Sequence, residues 1–264
     1  MDLTVKQFDT VSGFLSLTIA AMGGAAIYFF MTKSSVSPKY RSAITTSGVL
    51  LSIATYHYFR IYASWHEAYA LTGDSYKATP AHFENAYRYA DWFLTVPLLL
   101  IELVMVLALP KAEGRSLLIR LVIAAMLMIG LGYPGEIATD APTRWFFWAC
   151  SMIPFTYLLF ELFIKLTKTL DSQPEAARGL ISSARYVLLV TWAFYPIAFA
   201  IVTVAGSNNP WGLVILQIGY SVADIASKVG YGLVIHAIAR AKSEVEGYNP
   251  DAVDSVPKMT AAMA

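Results

Sequence analysis

The chain has 264 residues, of which 57% are hydrophobic and only 14% charged, with a mean hydropathy of +0.54; a soluble domain carries roughly 25% charged residues, so a water-facing globule of this length is excluded. A formal net charge of +1 offers no basic face and removes nucleic acid as a partner. The single cysteine, Cys150, rules out a disulfide framework and a multi-cysteine metal centre, and no metal site is expected.

A helix that crosses a bilayer needs about 20 mostly apolar residues. In chain order, seven such runs stand at 8–31, 42–66, 83–108, 115–135, 143–168, 179–205 and 211–240. The breaks between them hold turn formers: Pro38, Gly73–Asp74 with Pro80, Pro110–Lys111, Gly135 with Pro142, Pro174, and Asn208–Asn209–Pro210. Short connections force consecutive helices to run antiparallel. The sequence therefore predicts an all-α bundle of seven transmembrane helices over residues 1–242. A tail, 243–264, is rich in Pro, Asp, Ser and Ala and is expected to be mobile. Met1–Gln7 carries no basic region or cleavage site of a secretory signal. Of the 19 Lys and Arg, Lys6, Arg60, Lys77, Arg88 and Arg144 fall to one side and Lys228 lies deep in the last run, while the remainder collect on the opposite side. The positive-inside rule then puts the N-terminus outside the cell and the C-terminus in the cytoplasm.

Charges at bilayer depth cost several kcal/mol unless they face the bundle interior and find partners. The second run holds His57 and Arg60 in TYHYFRIY, the third holds Arg88, Asp91 and Glu102, and the seventh holds Asp224 and Lys228. Asp224 and Lys228 are one helical turn apart and share a face. Ala223, Ala226, Ser227 and Gly230 around them are small and leave room beside the lysine. Arg88, Asp91 and Thr95 also recur at helical spacing. Glu102 follows Asp91 by 11 residues, close to three turns, so it shares nearly the same face about 16 Å further along the axis. One carboxylate on either side of a buried lysine suggests a proton path.

RYADWFLTVPLLLIE in the third run and DIASKVGYG in the seventh resemble the two signature stretches of microbial rhodopsins. WAFYP in the sixth run, with Trp192, Tyr195 and Pro196, and the Gly130, Gly132, Tyr133 series in the fourth extend the likeness to all but the termini. His57 and the sequence LGYPGEI are similar to the proteorhodopsin and xanthorhodopsin branch of bacterial proton pumps. The resemblance implies all-trans retinal held covalently by Lys228, with Asp91 as counterion and proton acceptor and Asp224 as second counterion. It also implies Thr95 bonded to Asp91, His57 paired with Asp91, and Glu102 as cytoplasmic proton donor. Two carboxylates with Arg88 around a cationic lysine nitrogen make a nearly neutral cluster, as a low-dielectric interior demands. The expected pocket comprises Trp92, Leu99, Met128, Gly132, Ser151, Met152, Phe155, Trp192, Tyr195, Pro196 and Phe199. Leu99, an apolar residue where the branch alternates Leu and Gln, implies green absorption.

Two departures from the resembled proteins stand out. The connection AGSNNPWG and the start of the seventh run, with Leu216 and Gln217, carry no glutamate pair of the kind that archaeal members use for early proton release. Trp148 stands where carotenoid-binding xanthorhodopsins have glycine, so no carotenoid antenna is expected. What the likeness implies is a light-driven outward proton pump in a bacterial inner membrane, assembled as a homo-oligomer (trimer or pentamer), whose partners are protons and lipid and which has no signalling transducer.

Overall fold

The computed structural model describes residues 2–165, 167–205 and 209–250. Among these, seven long helices follow one another: α1 Val5–Thr32, α2 Arg41–Ala68, α3 Ala86–Leu107, α4 Lys111–Ile137, α5 Ala141–Phe160, α6 Glu175–Ala205 and α7 Pro210–Asp224. Two of them continue through a π-helical turn: α5 through Glu161–Lys165 and then Thr167–Leu170, and α7 through Ile225–Gly230 into Tyr231–Val245. All seven expected runs are helices, with ends within about five residues of the sequence reading. The expected mobile tail lies outside the described residues from 251 on. Before that point Ser243 is buried, Glu246 accepts hydrogen bonds from Lys39 Nζ (2.9 Å) and Tyr40 OH (2.6 Å), and Tyr248 OH accepts one from Arg41 (3.0 Å). These contacts tie the end of α7 to the α1–α2 turn. Burial, with the bond to Glu246, pushes the Tyr40 phenol up to about 12.

Consecutive helices pack against each other, and α7 closes the ring on α1 and α6. Six of the helices are long and apolar enough to cross a membrane; α2, the exception, is 28 residues long but rich in Ser, Thr and Tyr. Its outward residues are nonetheless large and apolar or aromatic, with Tyr56 58% and Phe59 55% exposed. Ile153 at 73% and Val190 at 72% continue the same belt on α5 and α6. Such a belt requires a hydrocarbon solvent, and helices suit it because each satisfies its own backbone. The structure and the composition together describe a multi-pass membrane protein. Burial ranks the helices: 67% of the most apolar stretch of α3 is inside the protein and 56% of that of α7, against 28% in α1, α4, α5 and α6. The two helices with the intramembrane carboxylates and lysine are thus the most enclosed of the six.

Beside the seven-helix bundle stands one small sheet. Tyr69–Thr72 (β2) and Ser75–Ala78 (β3) form an antiparallel hairpin, and Leu3–Thr4 (β1) adds to β3, giving the order β1-β3-β2. Gly73, at φ +62°, makes the two-residue turn that lets Thr72 face Ser75. Tyr76 then stacks on Phe8 at 3.7 Å, seating the hairpin on α1. The sequence reading placed these residues in a loop because the strands are only four residues long.

At the opposite face, α3 ends at Ala108 in the left-handed conformation (φ 51°), leaving its last carbonyls without helical partners. Lys242 is buried there and donates from Nζ to Val106 O (2.9 Å), Leu107 O (2.8 Å) and Gln173 Oε1 (2.7 Å). The lysine caps one helix from another and also holds the α5–α6 turn. Lys242→Met keeps the stem's packing but leaves Val106 O and Gln173 Oε1 without the lysine and Leu107 O with only Gln173 Nε2 (3.3 Å), so it should cost at least about 2 kcal/mol. A clear fall in melting temperature in detergent checks this, and an unchanged melt would show that the cap is dispensable.

Candidate functional site

Lys228 sits in the π-helical turn of α7, which offsets the helix by one residue at the level where the lysine turns inward. Its Nζ lies 2.8 Å from Asp224 Oδ1 and 3.2 Å from Asp91 Oδ2, and all three side chains are at most 2% exposed. A buried ammonium is tolerated only with such partners. The two carboxylates differ in their surroundings. Asp224 accepts from Tyr58 OH at Oδ2 (2.7 Å), and at Oδ1 from Tyr195 OH and from Trp92 Nε1 (3.3 Å) in addition to the lysine. Besides the lysine, Asp91 has among the described residues only a long bond from Thr95 Oγ1 to Oδ2 (3.4 Å), because that hydroxyl bonds mainly to Asp91 O (2.9 Å); Oδ1 is buried with no partner.

Arg88 reaches this cluster through another side chain. Its Nη1 donates to Tyr58 OH (3.1 Å) and its Nη2 to Gln217 Oε1 (2.6 Å), with the guanidinium over the Tyr58 and Tyr220 rings at 5.4 and 5.0 Å. The expected His57–Asp91 pair is not formed. His57 Nδ1 and Asp91 Oδ1 are each buried and unpartnered, the imidazole packs edge-on against Tyr56 (5.2 Å), and Asp91 Oδ2 is drawn to Lys228. Glu102 is fully buried and its Oε2 accepts a 2.5 Å bond from Ser47 Oγ, while Oε1 has no partner. Among the described residues no cation pairs with it.

From Lys228 a slot runs between α3, α4, α5 and α6. Every residue expected in the pocket lines it: Trp92, Leu99, Met128, Gly132, Ser151, Met152, Phe155, Trp192, Tyr195, Pro196 and Phe199. Tyr89, Val96, Ile129, Trp148, Tyr220 and Ser227 complete the wall. Ser151 Oγ donates to Met128 O (2.8 Å), joining α5 to α4 across the slot. Trp148 Nε1 donates to Pro196 O (3.1 Å), which pins its indole between α5 and α6. A long aromatic-lined slot ending at a primary amine between two carboxylates fits a conjugated aldehyde such as retinal, condensed onto the amine.

Sequence reasoning missed Tyr58, Ser47 and the role of Gln217. A signal for the first two exists: Ser47, Leu51, Ala54, Tyr58, Ile61 and Trp65 recur every three or four residues and are all buried. That stripe points Tyr58, not His57, at the centre. Tyr89 could likewise have been found as the residue one turn before Trp92.

The family model described as bacteriorhodopsin-like protein matches residues 9–242. The blue-light absorbing proteorhodopsin of Gamma-proteobacterium Hot 75m4 is 31% identical over 232 residues, 88% of this chain and 86% of that protein. Bacteriorhodopsin of Halobacterium salinarum is 30% identical over 246 residues, 91% and 88% of the two chains. Among solved structures, that of xanthorhodopsin, a light-driven ion pump with a dual chromophore, is 45% identical with a TM-score of 0.90, covering 94% of this chain and 99% of that one. The lysine between two carboxylates, the aromatic slot and these likenesses agree, and the chain belongs to the bacteriorhodopsin-like family of microbial rhodopsins.

Proposed function

We propose that the protein is a light-driven outward proton pump of a bacterial inner membrane, with its N-terminal face outside, acting as a trimer or pentamer without a signalling partner. The observation that carries this reading is the placement of Lys228 Nζ between an incompletely bonded carboxylate, Asp91, and a saturated one, Asp224, with a separate buried acid, Glu102, on the far side. Retinal, bound through Lys228 Nζ in the slot, supplies light absorption and an isomerisation that displaces the lysine nitrogen.

Asp91 then takes the proton from Lys228 Nζ, because Oδ1 has free lone pairs whereas both Asp224 oxygens already accept hydrogen bonds. Asp224, held by Tyr58 and Tyr195, keeps its negative charge and its position. Glu102 returns a proton to Lys228 from the other side; burial without a cation suits a carboxyl that rests as the neutral acid. On α3, Leu99 and Leu100, both at most 1% exposed, stand between the level of Asp91 and that of Glu102. Proton loss toward one face and recovery from the other make the transfer vectorial, provided access changes with the displacement.

Illumination of cells expressing the chain with added all-trans retinal should acidify an unbuffered suspension, and a protonophore should abolish the change. Lys228→Ala should stay colourless and silent; a visible band in that variant, or no acidification by the unaltered chain, would refute the reading.

Glu102→Gln should leave the colour nearly unchanged but slow the return of a proton to Lys228 by at least tenfold, and azide, a diffusible proton carrier, should restore it. Flash spectroscopy that finds unaltered recovery would remove Glu102 from the path.

The Trp148 indole, fixed by Pro196 O, closes the wall between α5 and α6, and we expect no carotenoid antenna. Incubation with a hydroxylated carotenoid should give no carotenoid peak in the excitation spectrum of retinal fluorescence; such a peak would show that Trp148 is not a gate.

A further inference from the structure

LGYPGEI at the end of α4 contributes a carboxylate, Glu136, that the reading above leaves without a role. A cavity of about 450 Å³ lies on the N-terminal face between α6 and α7, and Glu136 is the one carboxylate among its lining residues. Gln217 and Tyr220 form its inner wall, and both touch Arg88: Gln217 Oε1 accepts from Nη2 at 2.6 Å, and the Tyr220 ring lies 5.0 Å beneath the guanidinium. Asn85 and Arg144 line it near Glu136. The cavity thus extends from the two side chains that contact Arg88 to a carboxylate at the end of α4.

Its polar atoms are incompletely bonded. Asn85 Oδ1 and Gln217 Nε2, both on lining residues, are buried without a protein partner, as is Arg88 Nε behind Gln217. Buried polar atoms beside a cavity with room for several molecules are where ordered water binds, each water making about three hydrogen bonds. Glu136 itself is held by one hydrogen bond and a long ion pair. Asn85 Nδ2 donates to Oε1 at 3.0 Å, whereas Arg144 Nη2 stands 4.0 Å from Oε2. Arg144 is anchored elsewhere, by Nε on Thr203 Oγ1 (3.1 Å) and Nη1 on Glu136 O (3.0 Å). An approach of about 1 Å would turn the 4.0 Å gap into a charge-assisted hydrogen bond. The carboxyl therefore has a partner ready for its anion.

We propose that Glu136 is the proton exit group of this chain, loading and releasing the pumped proton at the N-terminal face through the Gln217-lined cavity. This rests on the pump reading. When Asp91 gains a proton, the negative charge that balances Arg88 falls, and the field of the guanidinium along the cavity favours ionised Glu136. The Glu136 O–H bond breaks, its electron pair stays on the carboxylate beside Arg144, and the proton passes to water outside. The bond forms again when Asp91 gives up its proton by way of the cavity, so one proton leaves per cycle. The exit group stands on α4, which explains how the chain can dispense with glutamates at the α6–α7 connection.

The test is flash excitation of the retinal-loaded chain with a soluble pH dye. In the unaltered protein, dye acidification should precede proton uptake. Glu136→Gln should keep its absorption maximum within a few nanometres, delay acidification at least tenfold so that it follows uptake, and lose a carboxyl C=O band from the infrared difference spectrum. Glu136→Asp, which retains a titratable carboxyl, should release early again, a rescue that a packing role would not give. Release at the unaltered rate in Glu136→Gln, or release after uptake in the unaltered chain, overturns this assignment alone. No dye signal from the unaltered chain overturns the pump reading and this assignment with it.

Discussion

An ammonium buried at mid-membrane between two carboxylates sets the terms for the rest of this molecule. Desolvating each ion costs several kcal/mol, and the cost is offset only by close, well-bonded partners. Lys228, Asp91 and Asp224 sum to one negative charge, and Arg88, reached through Tyr58, brings the cluster to neutrality. Each requirement falls on a different helix: α3 brings Asp91 and Arg88, α7 brings Asp224 and Lys228, α2 brings Tyr58, and α6 brings Tyr195. Shifting one of these helices removes a partner from a buried charge, so the cluster constrains the rotation of four helices alongside their apolar packing.

The two sides of that cluster are built from opposite materials. Toward the C-terminal face, Leu99 and Leu100 precede Glu102 on α3 and are buried, as is Tyr231, and among the described residues the only hydrogen-bond partner of Glu102 is Ser47. Toward the N-terminal face, Gln217, which accepts from Arg88, lines a cavity of about 450 Å³ together with Asn85 and Glu136. The resting fold is therefore polar on one side of the lysine and apolar on the other, an asymmetry that supports the proposed direction of transfer.

Helix number, helix order and the facing of α3 toward α7 were legible in the sequence because hydrophobic runs of membrane length and charges at helical spacing are local signals. The pocket was legible for a different reason: the signature stretches tie each aromatic residue to a position on its helix. What escaped depends on rotation and on distant pairing. His57 and Tyr58 are neighbours in sequence, and only the buried stripe through Ser47, Leu51, Ala54, Ile61 and Trp65 shows that Tyr58 faces Asp224. The hairpin of β2 and β3 escaped because four-residue strands carry too little alternation to separate from loop. Lys242 escaped as a cap because its acceptors, Val106, Leu107 and Gln173, lie on other elements.

The helix least like a membrane span holds two of the missed residues, and its hydroxyl groups explain how. On α2, Thr45, Thr46, Ser52 and Thr55 each donate to the carbonyl four residues back, at 2.7–2.9 Å. Such bonds hide a hydroxyl within its own helix and make a polar segment tolerable in hydrocarbon. Ser47 keeps only a 3.3 Å bond of this kind and makes its short one to Glu102, while the Tyr58 hydroxyl spans to both Arg88 and Asp224. The least apolar of the seven helices thus supplies one donor to Glu102 and one to Asp224, on either side of the lysine. More apolar side chains at those two positions would make α2 a better span and leave Glu102 without its hydroxyl partner and Asp224 with one donor fewer.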